Sequence, residues 1–226
     1  MYTAGLNEAI ERLYSTFGSY PLRARIDSCP CCRGPQETRH LHTKALKDLT
    51  AEDLELYAFR AMTTVGDVDD FRHFLPRILE LLLSSDFPVD REVVLGKLRY
   101  AAWTEWPANE SRCVQAYLAE LWIWTRRQPP DPYPYISAEI GRWLCAIARA
   151  EDDLGPYLEA WAGDREQAAQ ANILRFIRDE RQALDGSQPP GAFWEEAPIQ
   201  WQQVKTWVMR YERTGYFRAS GIAYPN

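Results

Sequence analysis

The chain has 226 residues, of which 46% are apolar and 26% are charged, a composition that excludes a disordered protein and allows one large domain or two small ones. Its formal net charge of −6 argues against a protein that binds nucleic acid by neutralising phosphates. Its apolar stretches are too short to span a bilayer. From the charge we therefore expect no nucleic-acid partner, and from the short apolar stretches no membrane partner.

The amino-terminal residues and the cysteines indicate a cytoplasmic location. Residues 1–11 carry Glu8 and Glu11 and lack the basic-then-apolar order of a signal peptide. The cysteines are odd in number, five in all, and three of them cluster at positions 29, 31 and 32, which is not the pattern of a disulfide framework. We therefore expect a soluble protein of the reducing cytoplasm.

Apolar residues recur at helical spacing in nearly every segment, and strand-like alternation is nearly absent. In the first half, the spacing predicts helices over residues 4–17, 51–62, 67–84, 90–103 and 107–127. Thr50 precedes the second of these with a capping box in which Asp53 replaces the usual Glu. Pro76 lies inside the third and predicts a kink or a break there, because proline removes a hydrogen bond and clashes with the preceding turn.

A proline-rich connector, residues 128–134, separates the two halves of the sequence. Beyond it, the spacing predicts helices over residues 137–150, 152–162, 164–184 and 198–214. We expect residues 1–226 to form a single helical domain that could divide at the connector into 1–128 and 135–226. About nine amphipathic helices predict an all-α fold, either an irregular α-α superhelix resembling HEAT repeats or a multi-helix bundle.

The cysteine cluster is the part of the sequence with the character of a metal site. Cys29 and Cys32 have the C-x-x-C spacing at which two thiolates hold one tetrahedral ion. His40 and His42 follow and could complete a zinc site, with Cys31 as an alternative fourth ligand. The same cysteines also fit a redox pair, although no strand precedes them, or buried thiols that pack as small apolar groups. Zinc is the only cofactor that the sequence predicts.

No catalytic constellation is visible in the sequence. Glycine-rich phosphate loops and the nucleophile elbow of hydrolases are both absent. Asp67, Asp69 and Asp70 are best interpreted as capping and dipole residues of the helix that follows. His73 adjoins Phe74 on an apolar helix and is interpreted as a packed histidine. These observations favour binding over catalysis.

The nine tryptophans supply candidates for a binding surface. Trp106 lies in a connector just before Pro107, and Trp124 cannot share a helix face with Trp122. We therefore predict that Trp106 and Trp124 are exposed anchors for another protein, since binding energy concentrates in such aromatic residues.

Acidity, aromatic richness and the lack of a catalytic constellation together predict a noncatalytic protein-binding module. One form of this would be an immunity or antitoxin-like inhibitor that occupies a basic partner enzyme. The alternative is a zinc-site protein, a sensor or an enzyme, built on Cys29, Cys32 and His42.

The run from Asp70 to Leu81 reads DFRHFLPRILEL and lies downstream of the CPCC segment that begins at Cys29. Together they resemble a bacterial group of small α-helical proteins without an assigned activity. The resemblance covers roughly residues 20–125 and implies a helical fold and a bacterial origin, but no chemistry.

Overall fold

The computed structural model describes residues 2–29, 35–130 and 139–213. Within these ranges the chain forms eleven α-helices and three short 3₁₀ helices, and no strand longer than an isolated bridge. The prediction of an all-α fold is confirmed. None of the helices in the described part is long and apolar enough to cross a membrane.

The chain forms two compact units, Met1–Trp124 and Thr125–Asn226. The boundary between them lies near the carboxyl end of a helix, upstream of the proline-rich connector. The α-helices that begin in the first unit are α1 (Ala4–Phe17), α2 (Ala51–Arg60), α3 (Val68–Leu81), α4 (Arg91–Tyr100) and α5 (Ala108–Arg126). Its 3₁₀ helices are Pro35–His42, Leu46–Asp48 and Trp103–Glu105.

Helices α1 and α3 pack against each other in the core of the first unit. The bounds of α1 are those that apolar spacing predicts, and the hydroxyl of Thr3 caps it by accepting a hydrogen bond from the amide of Leu6. The predicted capping box of α2 is confirmed, with Thr50 and Asp53 bonded reciprocally. Helix α2 ends two residues earlier than predicted, where the backbone turns and Met62 adopts a positive φ of 61°.

The break that was one of the two expected effects of Pro76 is wrong, because α3 continues through it to Leu81. The kink stays a prediction. Losing one backbone hydrogen bond and tolerating the ring costs roughly 3 kcal/mol. Each large apolar side chain that the helix buries contributes about 1.5–3 kcal/mol, so several of them outweigh the proline. The buried apolar residues on α3 are Phe71, Phe74, Leu75, Ile78 and Leu79.

The second unit contains six α-helices in its described residues. They are α6 (Glu139–Ala150), α7 (Gly155–Gly163), α8 (Gln167–Asp179), α9 (Arg181–Asp185), α10 (Ala192–Glu195) and α11 (Pro198–Arg213). A column of aromatic rings joins three of them: Trp161 of α7 lies 5.7 Å from Phe176 of α8 and 5.5 Å from Trp207 of α11, measured between ring centroids.

The helix predicted over residues 164–184 is instead two helices, and its first residue lies outside both. The carboxylate of Asp164 accepts hydrogen bonds from Arg126 at 2.7 Å and Arg127 at 2.9 Å, and one from the amide of Glu166. Burial alone would raise the pKa of Asp164, but the hydrogen bonds from Arg127 and Arg126 outweigh it and lower this pKa to about 2. Asp164 is therefore an ionic anchor before α8 rather than part of the helix.

Candidate functional site

A largely apolar groove of about 510 Å³ lies between α7 and α11 in the second unit. Its floor includes Leu158 of α7 and Trp207 of α11, both buried. Trp207 in turn stacks on Trp161, with 13° between the ring planes, so the floor rests on the aromatic core of the unit. At the rim, the side chain of Ile199 is 69% exposed, the most exposed large apolar side chain among the described residues.

The α11 wall of the groove follows from helical spacing. Ile199, Gln202, Thr206 and Arg210 recur at intervals of three and four residues, so they form one stripe on the outer side of the helix. The opposite stripe of α11 carries the residues that face the core, Trp201, Val204, Val208 and Tyr211. Ile199 therefore lies outside the apolar face that α11 uses for folding.

The α7 side of the groove is acidic. Asp152 and Asp153 are exposed just before α7, and Glu159 is exposed on the helix itself. Asp153 accepts hydrogen bonds from the amide of Gly155 at 2.8 Å and from the side chain of Gln203 at 3.1 Å, which ties this end of α7 to α11. The carboxylates of Asp153 and Glu159 thus lie beside an apolar floor.

Arg210 is the only cation among the described residues that line this groove. Its guanidinium donates to the carboxylate of Glu159 across the groove, and both side chains are largely exposed. An exposed ion pair of this kind contributes at most about 1 kcal/mol to folding, so a partner can displace it at little cost. The arrangement suits binding of an apolar segment that brings positive charge with it.

Trp106, which we predicted to be exposed, is buried and belongs to the core of the first unit, so that prediction is wrong. Its indole is 7% exposed and packs edge-on against Phe17, with the ring centroids 5.8 Å apart. Its Nε1 donates a hydrogen bond to the carbonyl of Ala101 at 2.8 Å. The position before Pro107 suggested a surface connector, but contacts from a helix far away in sequence cover the ring.

Trp124 is partly exposed while Trp122 is buried, as their spacing predicts. The ring of Trp124 meets that of Tyr2 edge-to-face, with 5.5 Å between the centroids. The accessible part of Trp124 keeps it available for contact with another protein, and its role in binding stays a prediction.

Two of the four predicted zinc ligands, Cys29 and His40, form hydrogen bonds to backbone carbonyls of the first unit. The amide of Cys29 donates to the carbonyl of Thr64 at 2.9 Å, which anchors the start of the cysteine cluster. The Nε2 of His40 donates to the carbonyl of Asp53 at 2.8 Å, so its Nδ1 is the nitrogen left for a metal ion.

The other two predicted ligands are His42 and Cys32. His42 is exposed at the end of a 3₁₀ helix. Cys32, like Cys31, lies outside the described residues. Within the described ranges, no three Cys, His, Asp or Glu side chains come close enough to hold an ion. The zinc site therefore stays a prediction.

The acidic residues before α3 cap the helix, as their position predicts. A carboxylate oxygen of Asp67 accepts hydrogen bonds from the amides of Asp69 and Asp70, and Arg23 pairs with both Asp67 and Asp69. His73 donates from Nδ1 to the carbonyl of Tyr20 at 2.7 Å and is a packed histidine. The hydrogen bonds and ion pairs of these side chains therefore stabilise the fold.

No protein-family model, curated protein or solved structure matches this chain. The function is therefore inferred from the groove, the charges beside it and the exposed side chains. Sequence reasoning missed the groove, although one signal was present: Ile199 falls outside the apolar stripe of its own helix.

Proposed function

We propose that the protein is a noncatalytic protein-binding module whose α7/α11 groove takes an apolar helical segment of a basic partner protein. The observation that carries this proposal is Ile199, a 69% exposed aliphatic side chain at the rim of an apolar groove. An inhibitor of the immunity or antitoxin type would be one protein of this kind.

The apolar part of the proposal rests on the size and lining of the groove. Its volume of about 510 Å³ lies within the usual range for binding clefts. Covering a side chain such as Ile199 contributes about 1.5–3 kcal/mol. An amphipathic helix that lays one apolar stripe into a groove is a recurring way to bury such a surface.

The charge of the partner follows from the residues on the α7 side. Glu159 lines the groove, and Asp153 is hydrogen-bonded to two of its lining residues, Gly155 and Gln203. The single lining cation among the described residues, Arg210, is itself paired with Glu159. The whole chain carries a net charge of −6, so a basic partner would be attracted at long range as well. Complementary charge chiefly raises the association rate and selects the partner, while the apolar contact supplies affinity.

The test uses two helical peptides that share one stripe of leucines and differ only in their flanking residues, Lys in one and Glu in the other. Calorimetry at low salt should show that the Lys-flanked peptide binds about tenfold or more tightly than the Glu-flanked one. Its affinity should fall as salt is added, because the attraction is between exposed charges.

A matched pair of variants locates the binding surface. Ile199→Asp should abolish binding of the Lys-flanked peptide, whereas Met209→Asp should leave it nearly unchanged. Met209 is 49% exposed on the same helix but does not line the groove. Equal binding of both peptides, or equal loss in both variants, would refute the proposal. The same pair then tests any partner captured from the native host.

A further inference from the structure

A second cavity of about 600 Å³ lies in the second unit, at the junction of α8 and α9 and the loop that follows them. It shares no lining residue with the α7/α11 groove. Two of its lining residues are carboxylic acids that are adjacent in sequence, Asp179 and Glu180.

The two acids have different surroundings. Asp179 accepts hydrogen bonds from Arg175 at 2.9 Å and from Arg178 at 3.0 Å, so its charge is offset twice. Glu180 has no hydrogen bond or ion pair from its side chain to any described residue. Of the two lining carboxylates, it is the one without a counter-ion in the described part of the chain.

The partial burial of Glu180 disfavours its ionised form, because no counter-ion among the described residues offsets the charge. Burial, and after it the charge of Asp179, raises the pKa of the Glu180 carboxyl to about 7. A carboxylate so placed gains far more from a cation than an exposed one would, since it has already lost much of its water. Perturbed acids in cavities are typical of binding and active sites.

The Glu180 carboxyl also lies beside a glycine inside helix α6. A Cβ added at Gly141 of α6 would lie 3.5 Å from Oε1 of Glu180 and 3.4 Å from the ring of Phe176. The carboxyl therefore lies against a bare helix backbone and an aromatic edge, neither of which offers a positive charge.

Nearby cations are held by other groups. Arg181 pairs with Glu212 and Asp185, and Lys205 donates to the carbonyl of Gly186 at 2.6 Å. Among the described residues, no cation pairs with the Glu180 carboxylate.

We propose that this cavity binds an organic monocation, an ammonium or guanidinium group on a short aliphatic stem, with the Glu180 carboxylate as its counter-ion. The amide side chains of Gln182 and Gln188 line the same cavity and supply oxygen acceptors for further N–H groups. Pro189 and Pro190 supply apolar surface for the stem.

A metal ion fits this cavity less well than an organic cation. Magnesium and calcium need six or more oxygen ligands, usually with several carboxylates or waters. Here one carboxylate is available, because the other is already bound by two arginines. An organic cation needs only one charge partner and gains from the apolar wall.

The test compares n-butylguanidinium with its neutral isostere n-butylurea by calorimetry, in a buffer free of amines. The guanidinium should bind and the urea should not. Because the carboxyl must be ionised, the apparent affinity should rise about tenfold between about pH 6 and about pH 8.

Two isosteric variants identify the counter-ion. Glu180→Gln should weaken binding about tenfold or more. Glu195→Gln, an equal loss of charge at an exposed site of the same unit, should change affinity by less than about twofold. Equal binding of the urea, or full affinity in Glu180→Gln, would overturn the proposal.

A blocked arginine, acetyl-arginine methylamide, distinguishes two sources of the same cation. Binding of this compound as tight as that of butylguanidinium would identify an arginine side chain of another protein as the ligand. Binding of butylguanidinium alone would identify a free small molecule. Because the peptide tests of the α7/α11 groove use different residues, failure of one proposal leaves the other standing.

Discussion

The guanidinium of Arg72 lies over the indole of Trp106, with 4.5 Å between its central carbon and the ring centroid. Its Nε is also 3.4 Å from Oε2 of Glu110, and the other carboxylate oxygen of Glu110 accepts a hydrogen bond from the hydroxyl of Tyr20. A cation, an anion and two aromatic rings thus share one largely buried place between α3 and α5. Such a cluster stabilises the fold only while every member is present.

Replacing Trp106 by Ala should therefore destabilise the protein rather than weaken partner binding alone. The variant loses the contacts of the ring and exposes the Arg72–Glu110 ion pair to water. Together these changes should lower the free energy of unfolding by about 3–5 kcal/mol. Chemical denaturation measures this loss. Phe59→Ala is the control, because Phe59 is 57% exposed and should change the same quantity by less than about 0.5 kcal/mol. A stable Trp106→Ala protein would show that the ring is not part of the core.

Asp164→Asn should destabilise the second unit in a pH-dependent way. The pKa of Asp164 is lowered from 3.8 to about 2 in the folded chain, so its ion pairs stabilise the fold above the unfolded pKa. That shift corresponds to about 2–3 kcal/mol. The difference in unfolding free energy between wild type and Asp164→Asn should be full at neutral pH and shrink as pH falls through about 4 to 2.

Asp185→Asn is the control for Asp164→Asn. Asp185 forms an exposed ion pair with Arg181, worth less than about 1 kcal/mol. If the two variants lost the same stability at neutral pH, the ion pairs of Asp164 with Arg126 and Arg127 would not be the cause.

Glu180→Gln should show the opposite dependence on pH. Its pKa is raised from 4.5 to about 7 in the folded state, so the folded chain holds the proton more tightly and loses stability as pH rises through this range. Glu180→Gln should be more stable than wild type by about 1–2 kcal/mol above pH 8, after allowance for the partial exposure of the carboxyl. Thermal melts should show no difference near about pH 4, and a constant difference at all pH values would contradict the assignment.

Zinc is tested by its stoichiometry. If the predicted site forms, metal analysis of the purified protein should find about one zinc per chain, and a chelator should lower the melting temperature. Cys32→Ser and His42→Ala should each lose the metal, whereas Cys113→Ser should keep it because Cys113 is a buried thiol elsewhere in the first unit. Metal-free protein with a melting curve indifferent to chelator would support the buried-thiol interpretation.

Local signals predicted the parts of the fold that are set locally. The apolar stripe of α1 and the capping box at Thr50 depend on residues within four positions of each other, and both match the structure. The break expected at Pro76 and the exposure expected of Trp106 were wrong because the surroundings of both residues come from distant segments. Burial by α1 and its neighbours carries α3 past the proline, and Phe17 and Arg72 cover the indole.

The candidate sites were harder to predict for the same reason. The exposure of Ile199 depends on which side of α11 is covered by α7. Glu180 has no ion-pair partner among the described residues because Arg175 and Arg178 bind Asp179 instead. Its carboxyl also lies beside Gly141, which belongs to another helix. Neither feature is marked by a fixed residue spacing in the sequence, so each can be recognised only in the folded structure.

The stacked pair of Trp161 and Trp207 gives the second unit an optical property of its own. Two indoles with centroids 5.5 Å apart and nearly parallel planes share their excited states, so their absorption and near-ultraviolet dichroism depend on the distance and angle between them. Trp207 is also part of the floor of the α7/α11 groove. Any occupant that shifts this ring by a fraction of an ångström changes the spectrum, which makes the protein its own label-free reporter of an occupied groove.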